Sequence, residues 1–265
     1  MLKTRIISAV IGLLILIAAV FISKETLAIA IFVLSVGAVH EFYNAVAKAG
    51  HKPVKWLGYL ASAGIILLGF TGRLDYFFSF MILIMLLSFS ILVFSRLKVG
   101  IIDVSLTICG IFYTIIMLTF IVMTRELKDG IYFVWIIFIG AWATDTFAYF
   151  GGRIFGRIKL SPVISPHKTV EGAICGVIGS VGALSLYGYF LINRLGYIPY
   201  FHFILIGIIS GIISQIGDLT ASAIKRNAGI KDYGSVIPGH GGVLDRFDSV
   251  LLVSPVIYLY LYFFI

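Results

Sequence analysis

The stretch SAIKRNAGIKDYGSVIPGHGGVLDRFDS, residues 222–249, collects Lys225, Arg226, Lys231, Asp232, Asp245, Arg246 and Asp248 in a chain that is only 12% charged. Seven of the 32 charged residues within 28 positions is about twice an even share, so the charge is concentrated for a reason. Asp145, Asp218 and Lys168 lie in or beside apolar runs elsewhere in the chain. Carboxylates in such a group suit Mg²⁺, which takes oxygen ligands and bridges to phosphates. Arginine offers paired donors to phosphate oxygens, and lysine offers a point charge. The glycines beside His240, Gly241 and Gly242 among them, let backbone N–H groups approach a ligand closely. A helix starting after Gly242 would also turn free N–H groups toward an anion. Acids for a metal beside cations for phosphates fit phosphoryl or nucleotidyl transfer to a lipid. Taken singly, each group has a plainer use. Asp218 would pair with Arg226, Asp145 would hydrogen-bond neighbouring helices, Asp248 would pair with Arg246 or support the helix start, and His240 would be a bonded loop residue. The weight lies in their convergence.

The elements that must position these groups are membrane helices. Among 265 residues 60% are hydrophobic and the mean hydropathy is +1.09, a balance that excludes a soluble domain. Apolar runs near twenty residues recur, as an all-α polytopic membrane protein requires, and the ten-residue alternation of a transmembrane barrel is missing. Nine spans are expected, at about 5–22, 27–46, 55–71, 77–95, 100–123, 130–150, 170–192, 199–224 and 243–264. With nine spans, fifteen Lys and Arg fall on one side of the membrane and five on the other. That bias puts the N-terminus in the cytoplasm and the C-terminus outside. The net charge of +8 therefore reports orientation and phosphate contact, not nucleic-acid binding. The N-terminal MLKTR leads into an uncleaved first span. Cys109 and Cys175 lie in apolar runs and read as inert thiols. Two connectors are long, 151–169 and 225–242, and both fall on the cytoplasmic side, within an expected catalytic region 126–265 that follows packing spans in 1–125. Asp145 precedes Arg153 by eight residues and Asp218 precedes Lys225 by seven. The acids thus sit within roughly 12 Å of one membrane edge. Asp245 and Asp248 are spaced i,i+3, and Asp218, Ser222 and Arg226 follow at i,i+4, so each set shares a helix face. His40 and Glu41 approach the same edge, where they would either join the site or, the plainer expectation, form an intramembrane pair.

The block from Ser222 to Asp248 resembles the phosphatidate cytidylyltransferase family, the CDP-diacylglycerol synthases. The resemblance rests on Ser222, Lys225-Arg226, Lys231-Asp232, Gly234, Ile237-Pro238, His240-Gly241-Gly242 and Asp245-Arg246-Phe247-Asp248, which agree at every constrained position over 27 residues. A second block is similar: Asp145 to Tyr149, Gly151, Gly156-Arg157, Leu160-Ser161-Pro162, Ser165-Pro166, and Lys168-Thr169 with Glu171-Gly172. His167 stands where relatives often carry a basic or small residue. Strong resemblance covers about 140–255. It implies that CTP and phosphatidic acid are joined with the help of Mg²⁺, with room for a second cation. It also implies a homodimer in a bacterial inner membrane with its site facing the cytoplasm. By motif position, Asp218 and Asp245 would hold metal, with Asp145 and Asp248 as further candidates. Lys225, Arg226, Lys231, His240 and Arg246 would act on phosphates, and Lys168 would close over the substrate. Ser222, Asp232, Gly241, Gly242, Ser165, Thr169 and Glu171 would line it. The rival readings are a polyprenol or dolichol kinase, a CDP-archaeol synthase, an ion-coupled transporter or a structural protein.

Overall fold

The computed structural model describes residues 2–96, 98–237, 239 and 241–265, so Pro238 and His240 lie outside the described residues. The helices are α1 (Leu2–Ile22), α2 (Lys24–Lys48), α3 (Lys55–Thr71), α4 (Leu74–Phe94), α5 (Ile101–Gly110), α6 (Met117–Glu126), α7 (Gly130–Phe155), α8 (Val170–Leu195), α9 (Phe201–Asn227) and α10 (Leu244–Phe264). A π-helical stretch, Ile111–Ile116, joins α5 to α6 as one rod. The described residues thus form nine helical rods, one for each expected span. Seven are long and apolar enough to cross a membrane, and Ile6–Ile22 and Lys55–Thr71 are shorter apolar helices. The protein is an all-α polytopic membrane protein.

By contact the chain divides into two units. Unit 1 holds Met1–Glu126 and Lys225–Phe247, and unit 2 holds Leu127–Ile224 and Asp248–Ile265. The chain passes from one to the other inside α9 and again inside α10. The connector 225–242 therefore groups with the N-terminal helices.

In unit 1, Tyr43 of α2 is buried and its hydroxyl donates to the Thr107 carbonyl at 2.8 Å. Its ring lies over Gly58 of α3 and Gly110 of α5, where a Cβ would come within 2.5 Å of it. Small residues at such points let membrane helices approach without a hydrophobic drive between them. The connector before α3 is tied down by Asp103, which accepts the Lys52 N–H at 2.6 Å and the Gly100 N–H at 3.1 Å. Thr107 accepts the Val54 N–H at 2.8 Å. At the start of α2, Ser23 and Thr26 cap each other reciprocally.

In unit 2, α7 and α8 lie against each other along their lengths, because their contact line is made of small residues. A Cβ on Gly172 would stand 2.8 Å from the Ala148 carbonyl and 3.0 Å from Gly152 Cα. One on Gly176 would stand 3.1 Å from the Thr144 carbonyl. Glycine pairs of this kind also explain why α7 continues through Gly151 and Gly152 to Phe155, past the expected end at 150. Lost helix propensity is offset by close packing on α8. The connector that follows is not irregular throughout. Strands β1 (Lys159–Ser161) and β2 (Ser165–Thr169) pair antiparallel, with Ser161 opposite Ser165 and Lys159 opposite Thr169. The Thr169 side chain then accepts the Gly172 N–H at 3.2 Å and caps α8.

Replacing Gly172 with alanine puts a methyl against two backbone atoms of α7, and neither can yield cheaply. A loss of about 1–3 kcal/mol is expected, read as a lower melting temperature in detergent. Gly182 is the control, because a Cβ added there would meet nothing within 4 Å. Gly182→Ala should be neutral or stabilising through helix propensity.

Candidate active site

Unit 2 carries a cavity of about 320 Å³, within the size range of ligand pockets. It is lined from α7 by Asp145, Ala148, Tyr149, Gly152 and Arg153, and from the hairpin by Leu160, His167, Lys168 and Thr169. Gly172 and Ala173 of α8 and Gln215 and Asp218 of α9 complete it. The central ion pair is Lys168 Nζ to Asp218 Oδ2 at 2.5 Å, with both side chains partly open to the cavity. The Ser222 hydroxyl approaches the other Asp218 oxygen at 3.4 Å, one turn along the same helix. Asp145 accepts from the Ser249 hydroxyl at 2.9 Å, and from that of Ser214 at 3.4 Å. Asp248 Oδ1 accepts the Ser249 backbone N–H at 2.8 Å.

The hairpin reaches the cavity because Glu171 anchors its base. The Glu171 carboxylate accepts the N–H groups of Arg157 at 3.0 Å and Ile158 at 3.2 Å. Thr169 is buried and used as the α8 cap. These two residues, expected at the substrate, are thus engaged in holding the loop that presents Lys168. Ser165 lies on β2, opposite Ser161.

Unit 1 carries the other acid. Asp245 is in the first turn of α10, and its side chain is only 6% exposed, so its charge must be met locally. Lys225 Nζ meets Oδ1 at 2.7 Å. The N–H groups of Tyr233 and Gly242 meet Oδ2 at 2.9 and 3.1 Å. The Lys225 ammonium also stands 5.4 Å from the centre of the Tyr233 ring. The tight path of 225–242 depends on left-handed backbone at Gly229 and Gly241, whose φ values are 66° and 92°. Arg226 donates to the Ile230 carbonyl at 3.4 Å. Lys231, Asp232 and Arg246 are exposed.

One expectation is overturned. His40 and Glu41 do not pair with each other. His40 meets the Tyr59 hydroxyl at 2.7 Å and the Asn44 amide at 2.8 Å. Glu41 accepts the N–H groups of Val243 and Leu244, at 2.9 and 2.8 Å. The anion at the start of α10 is therefore a side chain of α2. Free N–H groups and the positive helix end attract whichever carboxylate is near, and Glu41 is supplied by the fold. A Cβ on Gly242 would come within 2.5 Å of that carboxylate, which explains glycine there. Sequence alone points neither to this role of Glu41 nor to the place of Gln215. The only signal for either is a polar side chain inside an apolar run.

A profile of the cytidylyltransferase family matches residues 3–264. The phosphatidate cytidylyltransferase of Staphylococcus haemolyticus (strain JCSC1435) is 39% identical over 172 residues, 65% of this chain and 64% of that protein. The phosphatidate cytidylyltransferase of Bacillus subtilis (strain 168) is 37% identical over 184 residues, 68% of this chain and 66% of that protein. That of Haemophilus influenzae (strain Rd) is 42% identical over 143 residues, 54% of this chain and 49% of that protein. The chain thus spans less than two thirds of the length of each of these relatives.

Glu41→Ala would leave the buried N–H groups of Val243 and Leu244 without partners, at about 1–3 kcal/mol each. Faster amide exchange at 243–244 and a lower melting temperature are expected, with Glu41→Gln intermediate. Unchanged exchange in Glu41→Ala would show that the carboxylate does not hold the helix start.

Proposed function

The chain belongs to the cytidylyltransferase family, and from that premise we propose that it transfers CMP from CTP to phosphatidic acid, giving CDP-diacylglycerol and pyrophosphate. The observation that carries the reading is that two motif acids each hold a lysine, Asp218 with Lys168 and Asp245 with Lys225. A site for two phosphate-bearing substrates needs both charges, and pairing keeps them ordered until the substrates arrive.

In the proposed reaction an oxygen of the phosphatidate phosphate attacks the α-phosphorus of CTP. The bond between that phosphorus and the bridging oxygen to the β-phosphate breaks, and pyrophosphate leaves. The nucleophile is already an anion, so no strong general base is required. The protein's task is to align two repelling anions and to neutralise the charge that builds on the leaving group. Lys168 and Lys225 would exchange a carboxylate for phosphate oxygens. Arg226, Lys231 and Arg246 would add donors, and Glu171 acts as a positioning residue through the hairpin that carries Lys168.

Mg²⁺ fits the donors available. Asp218 offers carboxylate oxygens that are 31% exposed within the cavity wall. Among the described residues no three His, Cys, Asp or Glu side chains gather as a metal group, and Mg²⁺ is usually held by one or two carboxylates with substrate phosphates supplying the rest. By motif position we assign metal-holding roles to Asp218 and to Asp245, with room in the scheme for a second cation. Bound there, Mg²⁺ would neutralise phosphate charge in the transition state. The Lys and Arg asymmetry supports a cytoplasm-facing site in a bacterial inner membrane. The resemblance supports a homodimer as the working assembly.

The test is label from CTP entering the lipid phase, with release of pyrophosphate, when purified protein meets phosphatidic acid and Mg²⁺. Asp218→Asn and Asp245→Asn should each lower turnover by about a hundredfold or more while the protein stays folded. EDTA should abolish turnover. Near-normal turnover in either folded variant would sink the metal assignment. Absence of lipid labelling by folded wild-type protein would sink the function.

A further inference from the structure

The cavity of unit 2 has a polarity along its length. Its basic side chains, Arg153, His167 and Lys168, come from the end of α7 and the hairpin, with Lys168 reaching as far as Asp218 in the wall. Asp145 lies eight residues before Arg153 on α7, roughly 12 Å further along the helix. Gln215 lies on α9, three residues before Asp218 and on the side of it away from the Asn227 end. The far end is thus lined by Asp145 and Gln215.

Gln215 is the informative group. Its amide nitrogen donates to the Ala173 carbonyl on α8 at 3.1 Å and to the Gly211 carbonyl on its own helix at 2.8 Å. Both partners are backbone oxygens, which only accept, so the nitrogen must face them and the amide cannot flip. Oε1 is left as a fixed acceptor on a side chain that lines the cavity. Asp145 is exposed there and, when ionised, also only accepts. A ligand group that suits this end must bring N–H or O–H donors. The end near the hairpin suits phosphate.

We propose that this cavity takes the nucleotide base first, with Gln215 Oε1 and the Asp145 carboxylate accepting from the exocyclic amine of cytosine, so that Gln215 sets the preference for cytosine over uracil. The inference rests on CTP being the substrate. Uracil carries a carbonyl oxygen where cytosine carries the amine. That oxygen would meet two acceptors with no proton between them. Once the base covers these acceptors, leaving them unpaired costs free energy, so the site rejects the analogue. A lipid phosphate offers no donor for the far end, and its acyl chains would meet a carboxylate there.

The experiment measures kcat/KM for CTP and for UTP with the full chain in detergent, at saturating phosphatidic acid and over a range of Mg²⁺ concentrations, for wild type, Gln215→Leu and Gln215→Met. Wild type should prefer CTP. The variants should lose roughly tenfold to a hundredfold with CTP and little with UTP, so the preference narrows. A parallel loss with both nucleotides would assign Gln215 to helix packing and overturn the proposal. So would a loss restored by raising Mg²⁺, which would assign the oxygen to a hydrated cation. The wild-type protein supplies a check that no folding defect can cloud. CTP doubly methylated on its exocyclic amine has no donor there and should be turned over poorly. Use as good as that of CTP would overturn the proposal. Wild-type protein that turns over no CTP would overturn the function itself. CTP turnover with an unmoved base preference would overturn only this inference.

Discussion

An ionised carboxylate in a low-dielectric surrounding must be met by positive charge or by donors, or it does not stay ionised there. Much of the protein's polar architecture follows from that requirement. Asp218 is met by an ammonium, and Asp245 by an ammonium and two backbone N–H groups. Asp145 is met by serine hydroxyls, and Glu41 by the opening N–H groups of a helix. The four solutions differ in what they leave available. A lysine can exchange a carboxylate for another anion without breaking secondary structure. A helix start cannot release Glu41 so freely. The two lysine-held acids therefore suit chemistry, and the helix-held one suits architecture.

Small residues are the second half of the design. Without a hydrophobic force between helices, close approach depends on shape. Gly172 and Gly176 bring α8 against α7, and Gly152 lies opposite Gly172. The residues that line the cavity from α7 and α8 are interleaved with these contacts. Ala148 and Gly152, for example, form part of both the helix contact and the cavity wall. Packing and site are thus built from one set of positions.

The helices are legible in the sequence because lipid enforces a simple rule. A span must be apolar for about twenty residues, and its ends carry the charge. The nine expected spans match nine rods among the described residues, and Asp218 and Lys168 meet across a separation of fifty residues. What sequence hides are partners set by tertiary contact. Nothing local in His40-Glu41 says that the carboxylate serves α10. Nothing local in Gln215 says which way its amide faces. The hairpin is not legible because strands of three and five residues carry too little alternation to stand out from a loop. Thr169, which also lines the cavity, and Glu171 carry hydrogen bonds that the sequence does not announce. Their motif positions point to the substrate, whereas their hydrogen bonds hold the element that reaches toward it.

The bonds from Glu41 to Val243 and Leu244 join residues 202 and 203 positions apart. Closing so long a loop costs entropy that local contacts cannot repay early in folding. Synthesis runs from the N-terminus, so α2 is complete long before α10 exists. The turn that fixes Asp245 can therefore mature only when α10 finds a partner made some two hundred residues earlier. A copy that stops short of α10 leaves Glu41 without those donors, so the same carboxylate must then find another partner or give up its charge.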